Sequence, residues 1–359
     1  MADFNLTKMA VNLYCPGNVV QQDEVGLPSI LVWIPAFKNS DVLTGGDDSI
    51  HPAFIVNNRQ IPGFYYSKYE NVVYNSKAYS LPMEDPAVSI GIGYARDSSE
   101  DKGYGWHMST AAEWAAVALW CKKNGTLPYG NDDNGKDKRE ADHKAILSSD
   151  TGRTATGTGP LTWSHDGTPS GIWDLNGNVW EWQGGMRTVW GELQILANND
   201  AADPDNPQNA TSTCWKAISA ADGSLVDPEC TTEDAAAKTS GNTVKLDNVS
   251  GVWTYSTGIT NTIDESRSCL FGNITCTAAI SDAAKVVLRA LAMLPDKGAT
   301  ASDYEGDLVW YNNGANERVV ARGGYHANEG GSGVFSVSCY PRMNTSNRVG
   351  FRSAYIPNI

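Results

Sequence analysis

Groups able to do chemistry are few in this chain, and their spacing withholds most of it. The seven cysteines (15, 121, 214, 230, 269, 276 and 339) include no Cys-x-x-Cys pair, and the five histidines (51, 107, 143, 165 and 326) fall at no ligand spacing with them. A zinc site is therefore not expected. Cys269 with Cys276 and Cys214 with Cys230 could close loop disulfides in an oxidising setting; without a secretory signal, buried free thiols are expected. Two stretches hold better material. Gly171-Ile172-Trp173-Asp174-Leu175-Asn176-Gly177-Asn178-Val179-Trp180-Glu181-Trp182 sets three tryptophans around an Asn-Gly-Asn turn, with Asp174 and Glu181 as its carboxylates. Asn and Gly there supply positive φ angles. In residues 322–353, Tyr325, His326, Tyr340 and Arg348 stand among Gly, Ser and Asn, without the alternation needed to bury them all. Tyrosine gives contact area at low entropy cost while Ser, Gly and Asn adapt, which is the mixture found in paratopes. Val334, Phe335 and Val337 would form the strand core beneath.

Local signals place the elements around these stretches. Leu31-Val32-Trp33-Ile34-Pro35 predicts a short buried strand stopped by proline. Ile61 to Glu70 reads as a turn followed by an aromatic-rich strand. Thr110 with Glu113 makes a capping box, and Trp114, Val117, Ala118 and Cys121 follow at i, i+3, i+4 and i+7, so a core-packing helix is expected up to Gly125. Ser281 to Leu294 predicts a second helix, N-capped by Ser281 and stopped before Pro295. Residues 129–168 read as loop, and about 195–280 as an insertion poor in large apolar residues. There is no internal repeat.

The 359 residues carry a net charge of -14, with 35 glycines and 12 tryptophans. The charge leaves no basic stripe for nucleic acid. The aromatic and glycine counts suit a loop-rich fold whose large side chains fill irregular gaps. No apolar run is long enough to cross a membrane, and Met1 to Asn5 lack the basic-then-apolar start of a secretory signal. A virion or cell-surface location is expected, reached by particle assembly or cell lysis, and otherwise a cytoplasmic one.

The tight tryptophan loop resembles the G-[LI]-x-D-[ML]-x-G-N-V-W-E-W motif of the formylglycine-generating-enzyme and sulfatase-modifying-factor family, a subclass of the C-type-lectin fold. Other landmarks resemble that family in order: Leu31 to Pro35, Phe64 to Glu70, Met108 to Trp114, Arg318 to Gly324, and Val349-Gly350-Phe351-Arg352. The resemblance spans about 30–355. It implies a single α+β, C-type-lectin-like domain with a core at about 28–355, short antiparallel sheets, two main helices and loop-rich insertions.

The family's oxidases hold copper through two cysteines five residues apart, after an Arg-Gly-Gly motif. From Arg322-Gly323-Gly324 those places fall at about Asn328 and Gly333, and Cys339 stands alone, so an enzyme is not expected. Residues 322–353 resemble instead the variable region of proteins diversified by diversity-generating retroelements, in which mutated template adenines turn asparagine codons into many others. The implied variable, ligand-binding positions are Tyr325, His326, Asn328, Glu329, Ser332, Ser338, Cys339, Tyr340, Met343, Asn344, Ser346 and Arg348; Glu329 and Met343 are not reachable from an asparagine codon. The implied function is a hypervariable surface for a protein or cell-surface ligand, with homo-oligomerisation a route to avidity. The alternatives are a copper-dependent oxidoreductase and a glycan-binding lectin, although the lectin sugar tripeptide (Glu-Pro-Asn or Gln-Pro-Asp) is missing. Family members also hold a structural calcium in the tryptophan loop. The matching groups are the carboxylates of Asp174 and Glu181 and the carbonyls of Gly177 and Val179; the other reading is that these carboxylates cap the turn or pair with arginine.

Overall fold

A computed structural model of the chain describes residues 4–148 and 151–359. The strand Ser353–Tyr355, near the end of the chain, lies inside a sheet that the first strands begin. That five-stranded sheet runs Val19–Gln22, Pro28–Pro35, Gly63–Ser67, Ser353–Tyr355, Trp106–Met108, and is antiparallel throughout. Two hairpins project from this half, Ile55–Val56 with Arg59–Gln60 and Asn71–Tyr74 with Lys77–Ser80. Their two-residue turns, Asn57-Asn58 and Asn75-Ser76, have positive φ at both positions, the geometry that matches strand twist.

A second sheet has twelve strands. At its centre Leu308–Tyr311, Gly333–Tyr340, Arg318–Gly323 and Trp180–Val189 lie side by side. The architecture is α+β, but the expectation of short antiparallel sheets needs correcting. Leu308–Tyr311 pairs parallel with Gly333–Tyr340, Val349–Phe351 parallel with Trp180–Val189, and Val252–Ser256 parallel with Thr275–Cys276. Parallel neighbours need a crossover, which local sequence does not announce. The stretch 195–280 is also more ordered than expected. Its strands Lys216–Ile218 and Lys245–Val249 extend the large sheet, and Trp215, Trp253 and Tyr255 are buried.

Among the described residues there are five helices where two were expected. The central one, α4 (Ala111–Asn124), follows the capping-box reading: Thr110 Oγ1 accepts the Glu113 N–H at 3.1 Å, the Glu113 carboxylate accepts the Thr110 N–H, and Gly125 closes the helix in the left-handed region. The helix is buried on nearly all sides, and Trp114 donates its Nε1–H to the Val334 carbonyl at 2.7 Å. Helix α5 (Asp282–Ala290) stops before the expected Leu294. The chain turns out of the helix, with Ala292 at positive φ, and the carbonyls of Leu291 and Ala292 accept hydrogen bonds from the buried Arg322 guanidinium at 3.0 and 3.1 Å. The two helices of eight or more residues that sequence does not reveal are α1 (Phe4–Tyr14) and α3 (Ile92–Glu100). In α3, Ser98 and Ser99 turn their hydroxyls back to the Ala95 carbonyl, so burial and not propensity holds the helix. One core cluster joins α4, α5 and the inner face of the large sheet. A second lies between the outer face of that sheet and α3.

Thr110 Oγ1 also donates to Asn199 Oδ1 at 2.6 Å, so the cap ties the helix to a neighbouring loop. Thr110→Ala is expected to lower unfolding free energy by about 1–2 kcal/mol, read as a lower urea midpoint with an unchanged slope.

Candidate functional site

The tight tryptophan loop fastens the C-terminal segment at both ends. Asp174, Gly177 and Asn178 take positive φ, as the turn reading requires. At Gly177 a Cβ would come within 2.0 Å of the Asn131 carbonyl oxygen, so only glycine fits. From this turn Gly177 N–H donates to Gly323 O at 2.9 Å, Asn178 O accepts the His326 N–H at 3.0 Å, and Trp180 N–H donates to Arg348 O at 2.9 Å.

Beneath the turn is a buried charge cluster. Glu181 and Arg352 form a fully buried ion pair, in which Arg352 Nε lies 2.9 and 2.8 Å from the two carboxylate oxygens. The remaining guanidinium nitrogens donate to the carbonyls of Ser67, Lys68 and Trp173. Asp174 accepts the Gly157 N–H at 2.7 Å through one oxygen, while its other oxygen is buried without a partner. Glu70 accepts from Asn178 Nδ2 at 2.5 Å and is also fully buried. Of the expected calcium ligands, Glu181 is therefore engaged by Arg352, and Asp174 keeps one oxygen without a protein donor among the described residues. Among the described residues no group of three or more His, Cys, Asp or Glu side chains is placed to hold a metal ion.

Residues 333–340 then show which of the expected surface positions face outward. Val309, Val337 and Arg322 share one row across the sheet and face the inner core, whereas Trp310, Ser338, Ala321, Trp182 and Phe351 share the next row on the outer face. Small Ser338 and Ala321 sit between the two tryptophans. Trp180 reaches across to meet Trp310 edge-on at 5.4 Å, and Tyr340 stands edge-on to Trp182 at 5.7 Å. Above them the Arg348 guanidinium lies 4.7 Å from the Tyr325 ring centre, and Tyr325 meets His326 edge-on at 5.3 Å. Tyr325, Ser338, Tyr340 and Arg348 thus form one patch on a floor of three tryptophans, with His326 at its edge.

The other expected positions divide. Glu329 is exposed at the tip of the 325–332 turn, and Met343, at 86% exposure, borders a separate cavity of about 330 Å³ that also touches Tyr94 and Trp215. Asn344 and Ser346 are half-buried in the loop after the strand. Asn328 holds the turn, accepting the Tyr325 N–H at 2.8 Å and the Ser332 hydroxyl at 3.3 Å.

Four positions do not match a freely displayed surface. Cys339 is a core residue, paired across the sheet with Val320 and sharing the inner parity of Phe335 and Val337. Burial pushes its thiol up to about 12. Ser332 is enclosed by the turn, Ser338 is 6% exposed on the row between Trp310 and Ala321, and His326 is 9% exposed, with its ring against Asn134 Oδ1 at 3.3 Å. At the two places expected for copper thiolates, Asn328 serves the turn and Gly333 is the first residue of the strand. All seven cysteines are free thiols. Sequence reasoning missed Trp180, Trp182 and Trp310 as the floor. The first two read as part of the turn, and Trp310 belongs to a strand that only the parallel pairing brings alongside. No model of a known protein family matches the chain, and no curated protein sequence matches it.

The charge cluster makes stability depend on pH. Burial raises Asp174 to about 6 against its Gly157 hydrogen bond and Arg352, and raises Glu70 well above the usual range, with Asp174 and Glu181 adding to the rise. A carboxyl raised by folding stabilises fully below its unfolded value near 4, and that contribution is lost as pH climbs through the folded value. Glu229 acts oppositely. Against the cost of burial, hydrogen bonds from Lys245, Asn242 and Thr243 hold it down to about 2, so its effect is confined to lower pH. The Asp174 contribution to melting temperature is expected to fall away over about pH 4 to 6, and Asp174→Asn is expected to remove that part of the pH dependence. An equal slope in both proteins would contradict the assignment.

Proposed function

We propose that the chain displays a sequence-variable surface for a protein or cell-surface ligand. In this reading the scaffold is C-type-lectin-like, of the formylglycine-generating-enzyme subclass, and is carried on a virus or prophage particle or on a cell surface. The observation that carries the proposal is the parity of the 333–340 strand and its surroundings. Inward residues Phe335, Val337 and Cys339 complete the core, while Ser338 and Tyr340 join Tyr325 and Arg348 on the outer aromatic patch. Ser, Tyr and Arg are residue types reachable from asparagine codons, and they suit contact with a changing partner. The binding reading is supported over the oxidoreductase alternative by the state of the sulfur: Cys339 is sealed in the core and Asn328 serves its turn.

This reading separates positions by what they cost. Ser346→Asn and Arg348→Ser are expected to change unfolding free energy by no more than about 1 kcal/mol, while Tyr325→Ser, which gives up packing on the tryptophan floor, is expected to cost about 1–2 kcal/mol. Cys339→Arg, which buries an unpaired charge, is expected to cost more than about 3 kcal/mol. Urea denaturation of the four variants checks this, and equal tolerance at 339 and 348 would refute the division. The genetic test is a second copy of the 322–353 coding segment in the source genome, differing at adenines and lying beside a reverse transcriptase gene. Its absence would remove the diversification while leaving the fold.

A further inference from the structure

Helix α1 (Phe4–Tyr14) stands at the edge of the five-stranded sheet and packs mainly on its outermost strand, Val19–Gln22. Cys15 N–H closes the last turn on the Val11 carbonyl at 2.7 Å, and Gly17 at positive φ leads into the strand. From Asn5 to Tyr14 only Val11 is half-buried. Leu6, Met9, Leu13 and Tyr14 are 62% to 76% exposed, and among the described residues no part of the helix joins a core cluster. At about 100° per residue, Leu6, Met9, Ala10 and Leu13 share one stripe with Tyr14 at its border, and Val11 falls on the far side. Lys8, the one charged residue of the helix, also lies off the stripe. The helix therefore rests on its own domain by the side opposite its apolar stripe.

Spacing, area and charge together select what covers the stripe. Leu6, Met9 and Leu13 recur at intervals of three and four, the seam in which each side chain enters a hole on an identical helix, and small Ala10 beside them permits close approach. Such a stripe is self-complementary about a two-fold axis. Leu6, Met9, Leu13 and Tyr14 together present about 600 Å² per copy, so two copies bury about 1,200 Å², the lower end of a stable interface. The net charge of -14 makes most of one copy repel another, whereas the stripe brings no charges together. A helix lying on a membrane carries several basic residues on its polar face. Here Lys8 stands alone, and anionic headgroups repel the acidic body. An isolated helix of this length is marginal in water, so a twin also steadies the helix itself.

We propose that α1 is a self-association helix, through which two copies of the chain pair by setting Leu6, Met9 and Leu13 of one against the same residues of the other. No residue of 322–353 takes part, so the pairing stands or falls separately from the outer patch. The test is sedimentation equilibrium of the full chain from about 1 to about 100 µM, where a concentration-dependent dimer is expected. Leu6→Glu combined with Leu13→Glu places like charges on the seam without loss of helix propensity, and it is expected to weaken the dimer about tenfold or more. At about 1 µM, where monomer predominates, this variant is expected to melt like the parent, since neither leucine touches a core cluster. Met9→Leu keeps an apolar knob and is expected to dimerise within about threefold of the parent, and Tyr340→Ser to dimerise equally well. Flotation with phosphatidylcholine–phosphatidylserine vesicles is expected to leave the protein unbound. The proposal is overturned if the parent is monomeric at the highest concentration, or if the double variant pairs as tightly. It is also overturned if Tyr340→Ser abolishes the dimer, which would move the contact to the outer patch, or if the vesicles take up the protein through Leu6 and Leu13, which would assign the stripe to a lipid surface.

Discussion

One guanidinium holds the two sheets to each other. Arg352 stands between the strand Val349–Phe351 of the large sheet and Ser353–Tyr355 of the small one, and its donors reach Glu181, Ser67, Lys68 and Trp173. Those acceptors belong to the long central strand, the end of a first-sheet strand and the tryptophan turn. An unpaired buried charge costs several kcal/mol, so each of these elements can settle only where the planar fork meets its partners. The same charge partly offsets the crowding of Glu70 and Asp174 nearby. A lysine would carry the charge without the fork.

From that anchor follows the split character of the C-terminal segment. Both of its ends are fixed, by Gly177 and Asn178 at one side and by Trp180 at the other. Between them a strand with period-two geometry sends alternate side chains to unlike environments. On the inner side Val337 and Cys339 pack with the buried Arg322, Tyr255 and Tyr311. On the outer side the rings of Trp180, Trp182 and Trp310 make a base on which small Ser338 and large Tyr325 and Tyr340 sit. In the proposed reading such a base favours recognition, because less conformational freedom is lost when a partner docks.

Much of this was legible in the sequence where a local physical rule applies. The capping box at Thr110 and Glu113, the proline-stopped strand at Leu31 to Pro35, the positive-φ turn at Gly177 and the core role of Val334, Phe335 and Val337 all follow from short-range chemistry. Other features depend on partners remote in the chain. Helix α3 has glycine and serine in place of strong helix formers and is held by burial. The parallel pairings and the end of α5 at Ala290 are set by crossovers and by Arg322. Cys339 is a different case. Its i, i+2 relation to Phe335 and Val337 already placed it inward, and residue type alone pointed the other way. The aromatic floor was hidden because Trp310 meets Trp180 only through the fold.

The position of Ser353–Tyr355 inside the first sheet also bears on how the protein is made. This strand follows the C-terminal segment, so it leaves the ribosome after every residue of the outer patch. Until it arrives, Gly63–Ser67 and Trp106–Met108 face each other across an empty slot, and Glu181 lacks its guanidinium. A chain cut short within residues 322–353 by a premature stop codon therefore cannot close its first sheet, and it is exposed to proteolysis as an unfolded product. Closure of the first sheet therefore waits on an intact 322–353 segment, so loss of that segment costs the whole fold and not only the outer patch.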